Sequence, residues 1–491
     1  MASIEEIREE RLKKIAILRD KGIDPYPISS SPDVSVEKLV LNFSKLSKRK
    51  KPLKLVGRVK ALRGQGALIF LDFSDGTGMF QGLLKKGEMK EDLRELFIAT
   101  VDIGDFIELK GTLFTTKRKE KTLLVKDWRM LAKSLRPLPD KWHGLKDVEE
   151  RFRRRYLDTL MSPEVKERFM VRSKMITELR SFLGKEGFLE VETPILQPSP
   201  GGATAEPFST HHDALNMGLY LRIAPELYLK RLLVGGFDKV YEIGRNFRNE
   251  GIDVTHNPEF TMLEFYESFS DAKKQMAFVE KMIRSAVKKL FKKSTIAHNG
   301  KNIDFSKKFT VVSFFDLLKR YALISHPENM DKNEITLKAK QLGIDVDEAD
   351  TVEKTMDSIY KKVCRPKLIQ PTFIVGYPAN YLPLAKRLPK DATLVDAFQL
   401  VIGGIELAKG FSELNDPIDQ LERFAQQEAR REAGDKEAHG ADREFLEAME
   451  YGMPPAGGVG IGIDRLAMLL TDTHNIREVI LFPTLRPRSD L

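Results

Sequence analysis

The chain has 491 residues, 42% of them hydrophobic, which predicts two or three domains with ample apolar surface to bury. It contains no run of about 18 apolar residues, and its first residues, MASIEEIREERLKKIAILRDKG, lack a secretion-type apolar stretch, so neither a membrane span nor export is expected. A formal charge of +9 leans toward an acidic partner such as nucleic acid, and the one cysteine, Cys364, excludes an intramolecular disulfide and agrees with a cytoplasmic location.

In chain order, residues 4–21 predict an exposed amphipathic helix, closed by Gly22 and Asp24-Pro25. A linker rich in Pro and Ser (24–36) then leads into a basic run of Lys45, Lys48, Arg49, Lys50, Lys51 and Lys54. This run, another at 117–121 and a third at 151–155 read equally well as solvated faces or as polyanion contacts. Short strands with glycine turns over 53–131, interrupted by one helix near 89–100, predict a five-stranded oligonucleotide-binding barrel, with another small barrel as the alternative. Phe70, Phe73, Phe80 and Gln81 would meet unpaired bases if they face outward, and would otherwise be core. A proline-rich hinge (135–143) and a charged helical connector separate the barrel from a second domain. The expected division is 1–50 basic helical extension, 51–135 barrel, 136–160 hinge and connector, and 161–491 second domain.

In that second domain Ser162-Pro163 starts a helix ending near Gly187, and a strand follows at 188–191. Tyr241–Ile243 and Phe260–Tyr266 are strand-like around the turn formers 249–253 and Asn257-Pro258, which predicts a long antiparallel hairpin. Phe260, Met262, Glu264 and Tyr266 then share one face, suited to a flat, charged ligand. Residues 270–375 read as mainly helical scaffold, with a helical insertion at about 325–365, and glycine-rich 457–462 leads into a helix over 464–470.

GFLEVETPIL (187–196), the FRNE and HNPEF segments (247–260) and GVGIGIDRLAML (458–469) resemble the three signature motifs of class II aminoacyl-tRNA synthetases. LRIAPELYLKRLLVGGFDKVYEIGRNFRNEG with GFSELNDP (410–417) is similar to the class II lysyl-tRNA synthetases in particular, and the resemblance covers nearly the whole chain. It implies an α+β fold, a six-stranded antiparallel sheet flanked by helices and preceded by an OB-fold anticodon-binding barrel, in a homodimer with Pro194 in the dimer motif. It also implies an ATP-dependent ligase that makes lysyl-adenylate and pyrophosphate from lysine and ATP, then transfers lysine to the 3′ end of tRNA(Lys).

Such a reaction needs cations to neutralise phosphate oxygens and hold both reactants in line. By resemblance Arg248 holds the α-phosphate and the reacting carboxylate, and Arg465 the γ-phosphate. Glu250 accepts from the adenine amino group, Phe260 stacks on its ring, and His256 and Asn257 line the same loop. Glu406 matches a magnesium-binding glutamate, but Gln399 stands where the family usually has a second one, leaving the number of Mg2+ ions open. Glu226 is implied for the α-ammonium of lysine, and Glu264, Tyr266 and Glu413 for the ε-ammonium, with Phe411 along the methylenes. Acids left unpaired by protein cations would reject neutral or acidic side chains. Phe70 and Gln81 would meet a U-rich anticodon. Thr255 and Glu206 replace usual arginines and Lys409 a usual asparagine. A catalytically silent lysine- or RNA-binding module, a protein-lysylating paralogue and an aspartate or asparagine specificity are the competing readings. Arg248, Glu250 and Arg465 count against the first, the barrel against the second, and Glu226, Glu264 and Glu413 against the third.

Overall fold

The computed structural model describes residues 3–64, 66–139, 145, 147–347, 350–432 and 440–488; residues 140–143 of the expected hinge lie outside them. The chain forms two compact units, Met1–Leu145 and Lys146–Leu491.

In the first unit β1 (Leu53–Arg63), β2 (Leu68–Ser74), β3 (Met79–Lys85), β4 (Phe106–Thr115) and β5 (Lys121–Ala132) close a barrel in the order β1-β2-β3-β5-β4. Period-two alternation turns Ile69, Leu71 and Phe73 of β2 inward and leaves Phe70 and Asp72 facing out. Phe73 and Phe80 are therefore core, in edge contact at 6.2 Å, and are not available to bases. Phe70 and Gln81 are half-buried on the outer face, where Gln81 Oε1 accepts from the Thr122 hydroxyl at 2.9 Å. The helix Glu91–Thr100 packs on the barrel through Phe97, 5.2 Å from the Trp128 ring, and the Trp128 indole donates to the Leu93 carbonyl.

The N-terminal helix, Ile4–Asp20, starts at a Ser3/Glu6 capping box as its sequence suggests. It is not exposed throughout: Ile15 and Leu18 are buried, Arg11 donates to the Ser134 carbonyl at 2.8 Å, and Lys14 pairs with Asp102 at 2.7 Å. The stripe of apolar residues, though narrow, is what docks it. The segment read as a linker also packs, with the Ser30 hydroxyl donating to Glu108 and the Lys54 backbone N–H to Asp33.

The second unit contains β6 (Leu189–Glu190), β7 (Leu196–Gln197), β8 (Phe208–His212), β9 (Met217–Leu221), β10 (Lys239–Phe247), β11 (Glu259–Ser268), β12 (Thr295–His298), β13 (Lys301–Asp304), β14 (Thr310–Ser313), β15 (Thr372–Pro378), β16 (Arg387–Leu388), β17 (Asp391–Ile402), β18 (Ile405–Ser412) and β19 (Ala456–Gly462). Its main sheet runs β14-β15-β17-β18-β19-β11-β10-β6, with β16 on β17. The six strands from β15 to β10 are antiparallel throughout, as expected, and β14 and β6 add parallel pairs at the edges. The expected helical stretch 270–375 is only partly so. After the helix Ala272–Phe291 comes the β12–β13 hairpin, whose turn residues Asn299 (φ 52°) and Gly300 (φ 69°) have the left-handed backbone of a two-residue turn.

One face of the sheet carries the core. Leu263 and Phe265 of β11, Val459 and Ile461 of β19 and Phe398 and Leu400 of β17 pack against the helices Pro163–Lys185, Ala272–Phe291 and Ile463–Leu470. Each fully buried side chain of this kind contributes about 1.5–3 kcal/mol of transfer free energy. The alternate residues face the other way, and the register sets Glu242, Glu264, Gly460, Lys409 and Gln399 in one row across the sheet, with Tyr266, Gly458 and Phe411 in the next row of that face.

Candidate active site

Over this opposite face lies a cavity of about 320 Å³, lined by Glu264, Gly460 and Lys409 of the first row and the whole of the next, by residues 201–204, by the 248–258 loop, by Tyr381–Leu384 and by Arg465. Along its floor β19 places Gly458, Gly460 and Gly462, while the Val459 side chain turns into the core behind. A Cβ on Gly458 would sit 2.1 Å from Glu413 Oε1 and 2.4 Å from the Tyr266 ring, and one on Gly460 2.8 Å from Met262.

One end is acidic. Glu226, the first residue of the helix Glu226–Val234, lines the cavity with Glu264, Tyr266 and Phe411, as expected. The Tyr266 hydroxyl donates to Glu264 Oε2 at 3.0 Å. Burial and the neighbouring Glu226 push the Glu264 carboxyl up to about 8, against the opposing pull of the Tyr266 hydrogen bond, Arg248 and Arg222. Burial and the surrounding carboxylates likewise hold the Tyr266 phenol well above its ordinary value.

Glu413 is not among the lining residues: it is fully buried, with Oε1 where a Cβ on Gly458 would project, beside the Tyr266 ring. One expectation for this end, that its acids are unpaired by protein cations, is corrected: Lys230 Nζ lies 2.6 Å from Glu226 Oε1 and 2.5 Å from Glu413 Oε2. Burial disfavours the Lys230 ammonium, but Glu226 and Glu413 outweigh it and hold its pKa above the ordinary lysine value. The sequence carried a signal for this contact, since Glu226 and Lys230 stand four apart on a helix, the spacing of a same-face ion pair.

The other end is cationic. Arg248 follows β10, and its backbone N–H donates to the Pro258 carbonyl at 2.9 Å, closing the loop that carries Glu250, His256 and Asn257. Its guanidinium lies 5.0 Å from the Phe260 ring centroid, and its Nε has no hydrogen-bond partner. Arg465, in the first turn of the helix Ile463–Leu470, is held by carbonyls of Glu406 (3.3 Å) and Thr255 (3.5 Å) and lies 2.9 Å from His256 Nε2. Thr255, which has no cation to offer, therefore helps aim one. Behind it Asp464 accepts from the Thr261 backbone N–H (2.7 Å) and from Arg172 (2.6 Å), locking this helix to β11. The Asn257 amide donates to the Glu259 carbonyl at 2.6 Å, Glu250 stands exposed on the rim, and the Glu206 carbonyl accepts from the Asn249 N–H.

Glu406 and Lys409 line the same end. Burial would raise the Glu406 carboxyl, but Arg465, Lys409, Arg365 and Lys361 together hold it below its ordinary value. Gln399 does not line the cavity; it faces Lys409 across the strand pair and its side-chain oxygen accepts from the Tyr360 hydroxyl at 3.4 Å. Among the described residues no group of three His, Cys, Asp or Glu side chains could cage a metal. Mg2+ in nucleotide sites is commonly held by one or two carboxylates plus phosphates. Glu406 fits that role as a single ligand, whereas Gln399, bonded into the scaffold, does not fit as a second.

Sequence reasoning also passed over Arg222, which is fully buried and reaches Glu242 (2.5 Å) and the Arg245 carbonyl (2.9 Å). The Thr193 hydroxyl donates to the same Glu242 at 2.6 Å, tying Pro194 and its neighbours to β10. Pro194, Ile195 and Leu196 are exposed there.

Comparison with known proteins agrees with this geometry. Residues 147–486 match the family model for class II tRNA synthetases (D, K and N), and residues 53–131 that for the OB-fold nucleic acid binding domain. The lysine–tRNA ligase of Pelotomaculum thermopropionicum is 47% identical over 487 residues, 99% of this chain and 96% of that one. Those of Carboxydothermus hydrogenoformans (46% over 485 residues) and Enterococcus faecalis (44% over 493 residues) each align over 99% of both chains.

Proposed function

The chain belongs to the class II tRNA synthetases, and we propose, for the lysine–tRNA ligase reaction it carries out, a division of labour between the two ends of its cavity. Lysine lies on the glycine floor with its α-ammonium at Glu226, its ε-ammonium at Glu264 and Tyr266, backed by the buried Glu413, and its methylenes along Phe411. Its carboxylate points at Arg248. ATP takes the cationic end, with adenine against Phe260, its amino group at Glu250, and its phosphates between Arg248, Arg465 and Lys409. His256 and Asn257 shape the loop around it.

The first step needs no protein nucleophile. A lysine carboxylate oxygen attacks the α-phosphorus, the bond to the bridging oxygen breaks, and pyrophosphate leaves with the electron pair. Arg248, which touches both reactants, holds them in line and stabilises charge on the transferring phosphoryl group; Arg465 takes the charge on the leaving group. In the second step the terminal ribose hydroxyl of tRNA(Lys) attacks the activated carbonyl and AMP departs. Glu406 is the residue that would hold an ATP-bound Mg2+, whose chemistry there is neutralisation of phosphate oxygens. The observation that carries this reading is an acid cluster and an arginine whose Nε has no hydrogen-bond partner lining one cavity, along whose floor β19 places Gly458, Gly460 and Gly462.

Residues 51–135 serve as the anticodon-binding domain and 161–491 as the catalytic domain, joined by 136–160, with 1–50 adding basic charge for phosphate contacts. The exposed apolar run at Pro194 serves a homodimer, and the enzyme works in the cytoplasm. On the barrel, Phe70→Ala and Gln81→Ala test the anticodon role. Loss of one stacked base, about 1–3 kcal/mol, should raise the KM for tRNA(Lys) on the order of 5- to 100-fold in charging assays. Lysine-dependent pyrophosphate exchange should be unchanged, and an unchanged KM for tRNA would remove these residues from recognition.

A further inference from the structure

We propose that Lys230 is a specificity-determining positioning residue: its buried ammonium, bridging Glu226 and Glu413, sets the fixed charge of the amino-acid pocket to match a substrate with two ammonium groups. The inference rests on the assignment of the acidic end to lysine. Lys230 is fully buried and does not line the cavity, so it acts on substrate only through the carboxylates it holds. The charged groups around it are Glu226 on its own helix, Glu413 just after β18, and Glu264 with Tyr266 on β11; Arg248 and Arg222 bear on Glu264 from the far side. Phe411 and Phe445 close the remaining sides, with ring centroids 5.4 and 5.9 Å from Nζ.

Three carboxylates converge on the pocket, and one ammonium is built in. With all three ionised the remainder is two negative charges, the complement of the α- and ε-ammonium groups, while the substrate carboxylate is met separately by Arg248. In the empty pocket burial pushes both Glu264 and Glu413 up to about 8, so lysine binding below that pH expels protons. Lys230 also fixes where those charges sit. It takes Glu226 Oε1, and it holds the Glu413 carboxylate against Gly458. Without Lys230 the three acids would face one another unscreened, and the empty pocket would restore its charge by taking up a proton that lysine then has to displace.

The test is a double-mutant cycle with a proton count. Lys230→Met should raise the KM for lysine on the order of 30-fold or more and leave the KM for ATP unchanged. Calorimetry in buffers of different ionisation enthalpy should show about one more proton released per lysine bound than in the unaltered protein. Glu413→Gln alone should weaken lysine binding and release about one proton fewer. The double variant restores the charge balance, and should bind lysine better than Lys230→Met does. A purely structural lysine predicts instead a double variant no better than either single one, with the proton count unmoved, and that result would overturn the proposal. Because glutamine is isosteric with glutamate, Glu413→Gln remains informative even if Lys230→Met fails to fold: an unchanged proton count in it contradicts the charge-matching role. Equal weakening of lysine and ATP binding in Glu264→Gln would mark failure of the site assignment rather than of this inference.

Discussion

Arg248→Ala is expected to abolish lysine-dependent pyrophosphate exchange and to leave thermal stability essentially unchanged. Both halves follow from where the side chain sits. Its Nε has no hydrogen-bond partner, and its neighbour on one side is the Phe260 ring, so no ion pair or hydrogen-bond network is broken by its removal. Burial lowers its pKa somewhat, against the pull of Glu250, Glu264 and Glu406, but a guanidinium keeps its charge over the whole working range. A cation held ready in this way acts when the phosphoryl group and the carboxylate arrive. Loss of one preorganised donor costs about 10²–10³ in rate, and in the proposed arrangement Arg248 meets both reactants, so the loss should exceed that range. Lysine at this position keeps the charge and loses the planar fork, so Arg248→Lys should recover little. Persistence of exchange in a folded Arg248→Ala protein would take the residue out of the mechanism.

Glu264→Gln is the second change with a large expected effect, and its signature is in the pH dependence. In the empty pocket burial and Glu226 raise this carboxyl to about 8, well above the ordinary glutamate value. A group raised in the folded state contributes stability that is fully present below its unfolded pKa and is lost as pH rises through its folded one. The empty protein should therefore lose stability between about pH 4.5 and 8 on account of this residue. Lysine reverses the preference, because its ε-ammonium requires the carboxylate; affinity should rise with pH toward about 8, and binding below that pH should expel a proton. Glutamine removes both effects. Lysine binding should weaken by about 1–3 kcal/mol or more, the worth of a charge-assisted hydrogen bond, its pH dependence should flatten, and ATP binding should be nearly unaffected. Equal weakening of both ligands would contradict the assignment.

The hairpin from Tyr241 to Tyr266 was legible in the sequence because its signals are local: alternation along β11 and turn formers in the loop. The same holds for Gly458, Gly460 and Gly462, whose two-residue spacing puts them on one face. The β12–β13 hairpin had an equally local sign in Asn299-Gly300, but strands of four residues among lysines carry little alternation to support it. Phe70 and Phe80 look alike in sequence, and only the register of β2 on β3 sends one outward and the other into the core. The Lys230 contact is the instructive case. Its helical partner Glu226 was visible at four-residue spacing, whereas Glu413 comes from a distant stretch of the chain, just after β18, so its burial and pairing depend on packing that no local pattern records. Gln399 was legible as a departure, but that its amide is bonded to Tyr360 and withdrawn from the cavity is again a non-local fact.

The most direct test of the account is ATP–pyrophosphate exchange on the purified full-length chain with each of the common amino acids in turn. The charge-matched pocket predicts exchange with lysine and none above background with aspartate, asparagine, methionine or glutamine, which lack a second ammonium. Absence of exchange with lysine, or comparable exchange with a neutral or acidic amino acid, would contradict it.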